Sequence, residues 1–223
     1  MGFLNIFGKR PRRVDVLTPV EYTVTIHHPA VLEFAMSVSR MKVEDDQRTF
    51  FQFDRGEVTI DGDAASDYLA TDLAARCGQL LYPLQVCVAA DGSITQIFNH
   101  PDILKRWEEK APHLQEYFAG PEAAGYIDAT GKTLQNEAAV LHALQQDLFL
   151  TCWCNLAMGG QRTAYRLIPF KEPVPYEHDI KFTVNKLTKM IDTITAEWKF
   201  EQDGSPRRTL LTAVCNPIKD TVV

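Results

Sequence analysis

The chain has 223 residues, 45% of them hydrophobic and 23% charged, which excludes a disordered or fibrous polymer and allows one domain with a sizeable core. The net charge is −6, but Lys9, Arg10, Arg12 and Arg13 stand in a first thirteen residues free of acids, so residues 14–223 carry −10. An acidic body without a basic cluster interleaved with aromatics excludes general nucleic-acid binding, because phosphate recognition needs clustered Lys and Arg.

Residues 1–19 read as a basic-hydrophobic tail, punctuated by Pro11 and Pro19, ahead of a single α+β domain over 20–223. Within the tail, Phe3, Leu4, Ile6 and Phe7 precede the four cations. A secretory signal has the reverse order, so a cytoplasmic protein is expected. The pattern makes these eight residues the candidate partner-binding segment, docking on a protein or touching an anionic membrane weakly.

Val20 to His28 alternates apolar and polar residues and predicts a half-buried strand. After Pro29 the alternation resumes at Leu32, then changes phase towards Met41 and Val43. Glu44 to Gln47 read as a hairpin loop. A third strand carries Phe51 and Phe53 and changes phase around Gly56. Phase breaks inside long strands predict bulges and a curved sheet.

Helical spacing of Leu69, Leu73, Cys77 and Leu80 predicts a helix from Ser66 to Leu81, with Ser66 or Asp67 as N-cap. Asp91-Gly92 between two apolar runs predicts a hairpin with a two-residue loop. Asn99 is the expected cap of a second helix, with Trp107 anchoring it on the sheet, Arg106 solvated, and Pro112 splitting or kinking it. After a helical turn at Glu122 to Asp128, one long helix is expected from Lys132 to Ala157, stopped by Gly159-Gly160. Four strands close the chain: Thr163 to Ile168, Ile180 to Leu187, Ile194 to Phe200 and Thr209 to Cys215. Lys171 to Tyr176 links the first two, and Asp203 to Pro206 makes the last turn.

Strands at both ends joined by short turns predict a curved, mostly antiparallel sheet, a half-barrel covered by two to four central helices. In element order, and without any shared motif, this resembles the helix-lidded half-barrel of bacterial lipid-carrier proteins. That resemblance implies a space for an apolar ligand between sheet and helices.

The chemistry-bearing residues point to no reaction. Five cysteines, Cys77, Cys87, Cys152, Cys154 and Cys215, are an odd number in a chain too large to need disulfides, so reduced thiols are expected. Cys152 and Cys154 would point to opposite sides of a helix and cannot chelate one ion. None of the six histidines forms a metal-ligand pattern, and no serine elbow, P-loop or dinucleotide fingerprint is present. No cofactor and no metal are expected. The candidate ligand-facing residues are His28, Phe51, Phe53, Asp147 and Trp153: aromatics for an apolar ligand, and two titratable groups placed beside apolar neighbours. The leading expectation is a non-enzymatic adaptor or accessory subunit of a protein assembly. A carrier of a small apolar ligand or lipid is the alternative, and an enzyme built on His28 or Asp147 the lesser one.

Overall fold

The computed structural model describes residues 14–43, 48–159, 176–186, 190–202 and 205–216. The eight tail candidates Phe3 to Arg13, the Glu44–Gln47 loop, the expected strand Thr163 to Ile168 and the linker at 171–175 lie outside them.

The described residues form one open antiparallel sheet and five helices. The strands are β1 (Val14–Val16), β2 (Val20–His28), β3 (Ala30–Val43), β4 (Thr49–Ile60), β5 (Asp63–Ala64), β6 (Leu84–Val88), β7 (Ile94–Ile97), β8 (Tyr176–Val184), β9 (Ile191–Gln202) and β10 (Ser205–Cys215). The helices are α1 (Leu69–Gln79), α2 (His100–Tyr117), α3 (Pro121–Gln135), α4 (Glu137–Leu144) and α5 (Leu148–Ala157). The sheet runs β7-β6-β4-β3-β2-β10-β9-β8, with β1 beside β3 and β5 beside β4. The curved antiparallel sheet with central helices is therefore present.

Residues 14–16, placed in the tail by the sequence, form a strand of the sheet. Val14 pairs with Val43 and Val16 with Met41, and the Leu17 amide donates to the Arg40 carbonyl, so this stretch extends the line of β2 along β3. Val14–Val16 belong to the sheet because β-branched residues find unpaired backbone on β3 there.

The two phase breaks have different causes. In β4, Gly56 and Glu57 face only Ala35, since Phe34 pairs with Val58 and Met36 with Arg55. That is a bulge, and it returns Val58 and Ile60 to the face of Phe53. In β3 the register is unbroken from Met36 to Met41. The apolar positions simply change sides: Val38 joins the main core, while Met41 and Val43 join Phe50 and Cys87 in a smaller cluster on the other face.

Four local expectations are corrected. Ala65–Asp67 turn as a short 3-10 helix, so the N-cap position of α1 falls to Tyr68 rather than Ser66 or Asp67. The Asp91-Gly92 hairpin closes with a bond from the Ala89 amide to the Ser93 carbonyl, leaving a three-residue loop with Gly92 at φ 85°. α2 is not split at Pro112, which lies inside the helix. The long helix expected over Lys132 to Ala157 is broken twice. Asn136 accepts from the Ala139 amide at 3.2 Å and Asp147 from the Leu150 amide at 2.8 Å, and each caps a new helix. A short polar side chain that takes its own helix's N–H competes with continuation, which is why an apolar stripe across it does not guarantee one helix.

Candidate functional site

Sequence reasoning placed a ligand site under the helices, and the aromatic candidates do meet there. Trp153 stands edge-on to Phe51 (4.9 Å between ring centroids, 85°) and to Phe53 (5.5 Å, 90°). Its other side meets Tyr22 at 6.5 Å, and Phe149 meets the same tyrosine at 5.9 Å. All five rings are buried. Edge-to-face packing at these distances is the arrangement of a filled aromatic core. The Tyr22 hydroxyl donates to the Ile191 carbonyl at 3.0 Å, and burial pushes its pKa up to about 12. Cys152 and Cys154 flank Trp153, both buried, with burial raising both thiol pKa values.

Of the two titratable candidates only Asp147 stands beside this cluster, where it adds to the raised pKa of the Cys152 and Cys154 thiols. Asp147 is the cap of α5. Burial pushes its carboxyl pKa up, partly opposed by the Leu150 amide, by Arg55 and by the Phe149 amide. His28 sits exposed at the end of β2, with Nδ1 2.8 Å from Thr209 Oγ1 and its ring stacked on Phe200 at 6.4 Å. No group of three metal-ligating side chains occurs among the described residues, and no helix there is long and apolar enough to cross a membrane.

A different surface stands out on the outer side of α1. Its inner stripe, Leu73 and Cys77, is buried in the core. Around it lie large apolar side chains that face outward: Tyr68 is 60% exposed, Leu69 65%, Tyr117 63% and Tyr126 45%. Leu69 was expected on the buried stripe. It opens the first turn of the helix and is exposed, while the contacts of α1 with β4 lie at Ala75 and Gln79.

Arginine contacts assemble this surface. Arg106, expected to be solvated, donates to the Leu80, Leu81 and Pro83 carbonyls at 3.1, 3.2 and 3.1 Å. It thereby satisfies carbonyls left open where α1 ends and fastens α2 beside it. In the last turn of α1 the Arg76 guanidinium lies 4.9 Å from the ring centroid of Tyr117, the last residue of α2, while its Nε donates to Asp72 at 2.7 Å. α2 is also pinned to α3, where Gly131 leaves room for Trp107: a Cβ on Gly131 would stand 2.8 Å from the indole nitrogen. Trp107 thus packs α2 against α3. Asn99, at the cap position of α2, accepts from the Gln85 amide and donates to the Pro83 carbonyl, tying the helix start to β6.

Two depressions flank α1. One, of about 540 Å³, lies towards the β4 bulge and is lined by Arg55, Gly56, Glu57, Asp72, Arg76 and Gln79 among others. The other, of about 390 Å³, lies between α1 and α2, where Leu80, Leu114 and Tyr117 form apolar walls and Arg76, Lys110 and His113 the polar ones. The sequence held one signal for the second groove. Arg106, Lys110, His113 and Tyr117 recur at helical spacing along one face of α2. That stripe is basic and aromatic, and a search for apolar periodicity passes over it.

No family model matches the chain, and neither a curated protein nor a solved structure matches it.

Proposed function

We propose that the protein is a non-enzymatic interaction module, an adaptor or accessory subunit, and that its partner docks on the outer face of α1. The observation that carries this reading is the set of exposed residues Tyr68, Leu69, Tyr117 and Tyr126 around one helix, with a groove on either side. Tyrosine and arginine side chains dominate binding energy at protein interfaces, since each offers a large contact area with a polar end. The candidate interior adds weight, because Phe51, Phe53 and Trp153 spend their surfaces on one another. The basic-hydrophobic tail stays a second candidate contact.

A photo-crosslinking amino acid placed at Tyr68 or Tyr117 in cells tests the reading. A discrete crosslinked partner is expected at both positions and not at the exposed Glu33 on β3. Crosslinks of equal yield at all three would show a surface without a preferred face and would remove α1 from the argument.

One observation favours the carrier reading. The Trp198 indole N–H is fully buried and has no hydrogen-bond partner among the described residues, so it is a donor that an oxygen-bearing ligand would satisfy. Native mass spectrometry of the purified protein separates the two readings: a bound small molecule supports the carrier, and a bare chain mass supports the interaction module.

A further inference from the structure

The groove between α1 and α2 differs from the protein around it in charge. The chain beyond residue 13 carries −10, yet the groove is walled by Arg76, Lys110 and His113 with no carboxylate among its described lining residues. Asp72 takes the Nε of Arg76 from the side, leaving the rest of that guanidinium over the Tyr117 ring. Lys110 makes no ion pair among the described residues. The floor is apolar, from Leu80 and Leu114. A cationic rim over an apolar floor matches a ligand that is negative at its edges and apolar at its centre.

We propose that this groove receives an acidic peptide segment of a partner protein, with an apolar side chain seated between Leu80 and Leu114 and flanking carboxylates on Arg76 and Lys110. The proposal rests on the interaction-module reading and names the chemistry of its partner. Geometry favours a peptide over an anionic membrane. Glu109 and Glu116 stand exposed on α2 just outside the groove. A flat anionic surface meets those acids together with the cations, whereas a single extended segment in the groove runs beside them, since both fall on one flank of the groove-lining stripe of α2.

Selection of a random ten-residue peptide display library on the full-length protein tests this. Enrichment of Asp and Glu around a central Leu, Phe, Tyr or Trp is the expected result. For the enriched peptides, Lys110→Glu should weaken binding about tenfold or more, the scale of losing one favourable charge contact and gaining a repulsive one. Lys110→Gln should weaken it less, and raised salt should weaken wild-type binding. Circular dichroism confirms that both variants fold, as expected for an exposed position. Enrichment without acids, no enrichment, or binding unchanged in Lys110→Glu each overturns the proposal. So does tighter binding to phosphatidylserine vesicles than to any selected peptide. A partner that still crosslinks at Tyr68 in Lys110→Glu, together with any of those results, leaves the α1 surface standing and removes the groove alone. Loss of crosslinking at Tyr68 and Tyr117 in the wild type removes the surface itself.

Discussion

α5 and α1 lie over the same sheet and present their aromatic neighbours in opposite ways. Under α5 the rings of Tyr22, Phe51, Phe53, Phe149 and Trp153 close on each other, and the polar atom of Tyr22 is used up on a backbone carbonyl. Around α1 three tyrosines and Leu69 keep much of their surface in water. The difference comes from sequence. α5 is apolar nearly all round, Leu148 to Leu156, so every side of it seeks cover. α1 alternates one buried stripe with Arg76 and Gln79, so only one side does. A helix covered all round is a structural element. One whose uncovered side is bordered by Leu69 and by tyrosines of its neighbours has surface left for another molecule.

The comparison is tested most severely at Trp153. Trp153→Ala should cost about 3–5 kcal/mol, the range for removing a large aromatic from a packed core. Urea unfolding monitored by circular dichroism measures it. A loss under about 1 kcal/mol would mean that the rings are loosely held, and the carrier reading would gain.

Gly92 should come next. It holds φ 85°, and a Cβ there would overlap the backbone of Asn155 on α5, whose side-chain amide donates to the Asp91 carbonyl. Gly92→Ala is expected to cost about 1–3 kcal/mol, because it imposes a left-handed conformation on a residue with a side chain and pushes the hairpin off α5. Differential scanning calorimetry would show a lower Tm, and an unchanged Tm would mean that this loop does not bear on α5.

Asp147 has two opposing effects, and two substitutions separate them. Asp147→Ala removes the cap and should cost about 1 kcal/mol. Asp147→Asn keeps an oxygen for the Leu150 amide and removes a carboxylate that burial disfavours. The folded pKa is raised, so above the ordinary carboxylate value of about 4 the native state holds more proton than the unfolded chain. Stability should therefore fall as pH rises from there through the raised pKa, and Asp147→Asn should lack that fall. Unfolding free energies measured across pH for both proteins decide it. Parallel curves would mean that Arg55 and the two amides fully offset the burial.

These residues also show how far the sequence can be read. The strand pattern of β2, β4, β9 and β10 was legible because period-two alternation has one geometric meaning on a sheet with one covered face. The bulge at Gly56 was legible for the same reason. The breaks at Asn136 and Asp147 were not, since an apolar stripe continues across both and only the cap bonds reveal the stop. The aromatic candidates Phe51, Phe53 and Trp153 were found because large rings on an inward phase must meet something. Sequence could not say that they meet each other. The α1 face escaped notice because an exposed tyrosine looks the same in sequence as a buried one, and because Arg106 gave no sign that it would reach the end of α1.

The smallest effect on stability should come from the face itself. Tyr68 and Leu69 make no buried contact worth a large energy, at 60% and 65% exposure. Tyr68→Ser with Leu69→Ser should leave the unfolding free energy within about 0.5 kcal/mol of wild type, as surface substitutions do. The same pair of changes should abolish most of the crosslinking from Tyr117, since a partner lying across α1 loses two of its anchors. Stability and association respond oppositely here and at Trp153. There, a substitution that weakens association does so only to the extent that it unfolds the chain. If the double serine variant instead loses several kcal/mol, those residues belong to the fold, and the contrast between α1 and α5 is one of degree.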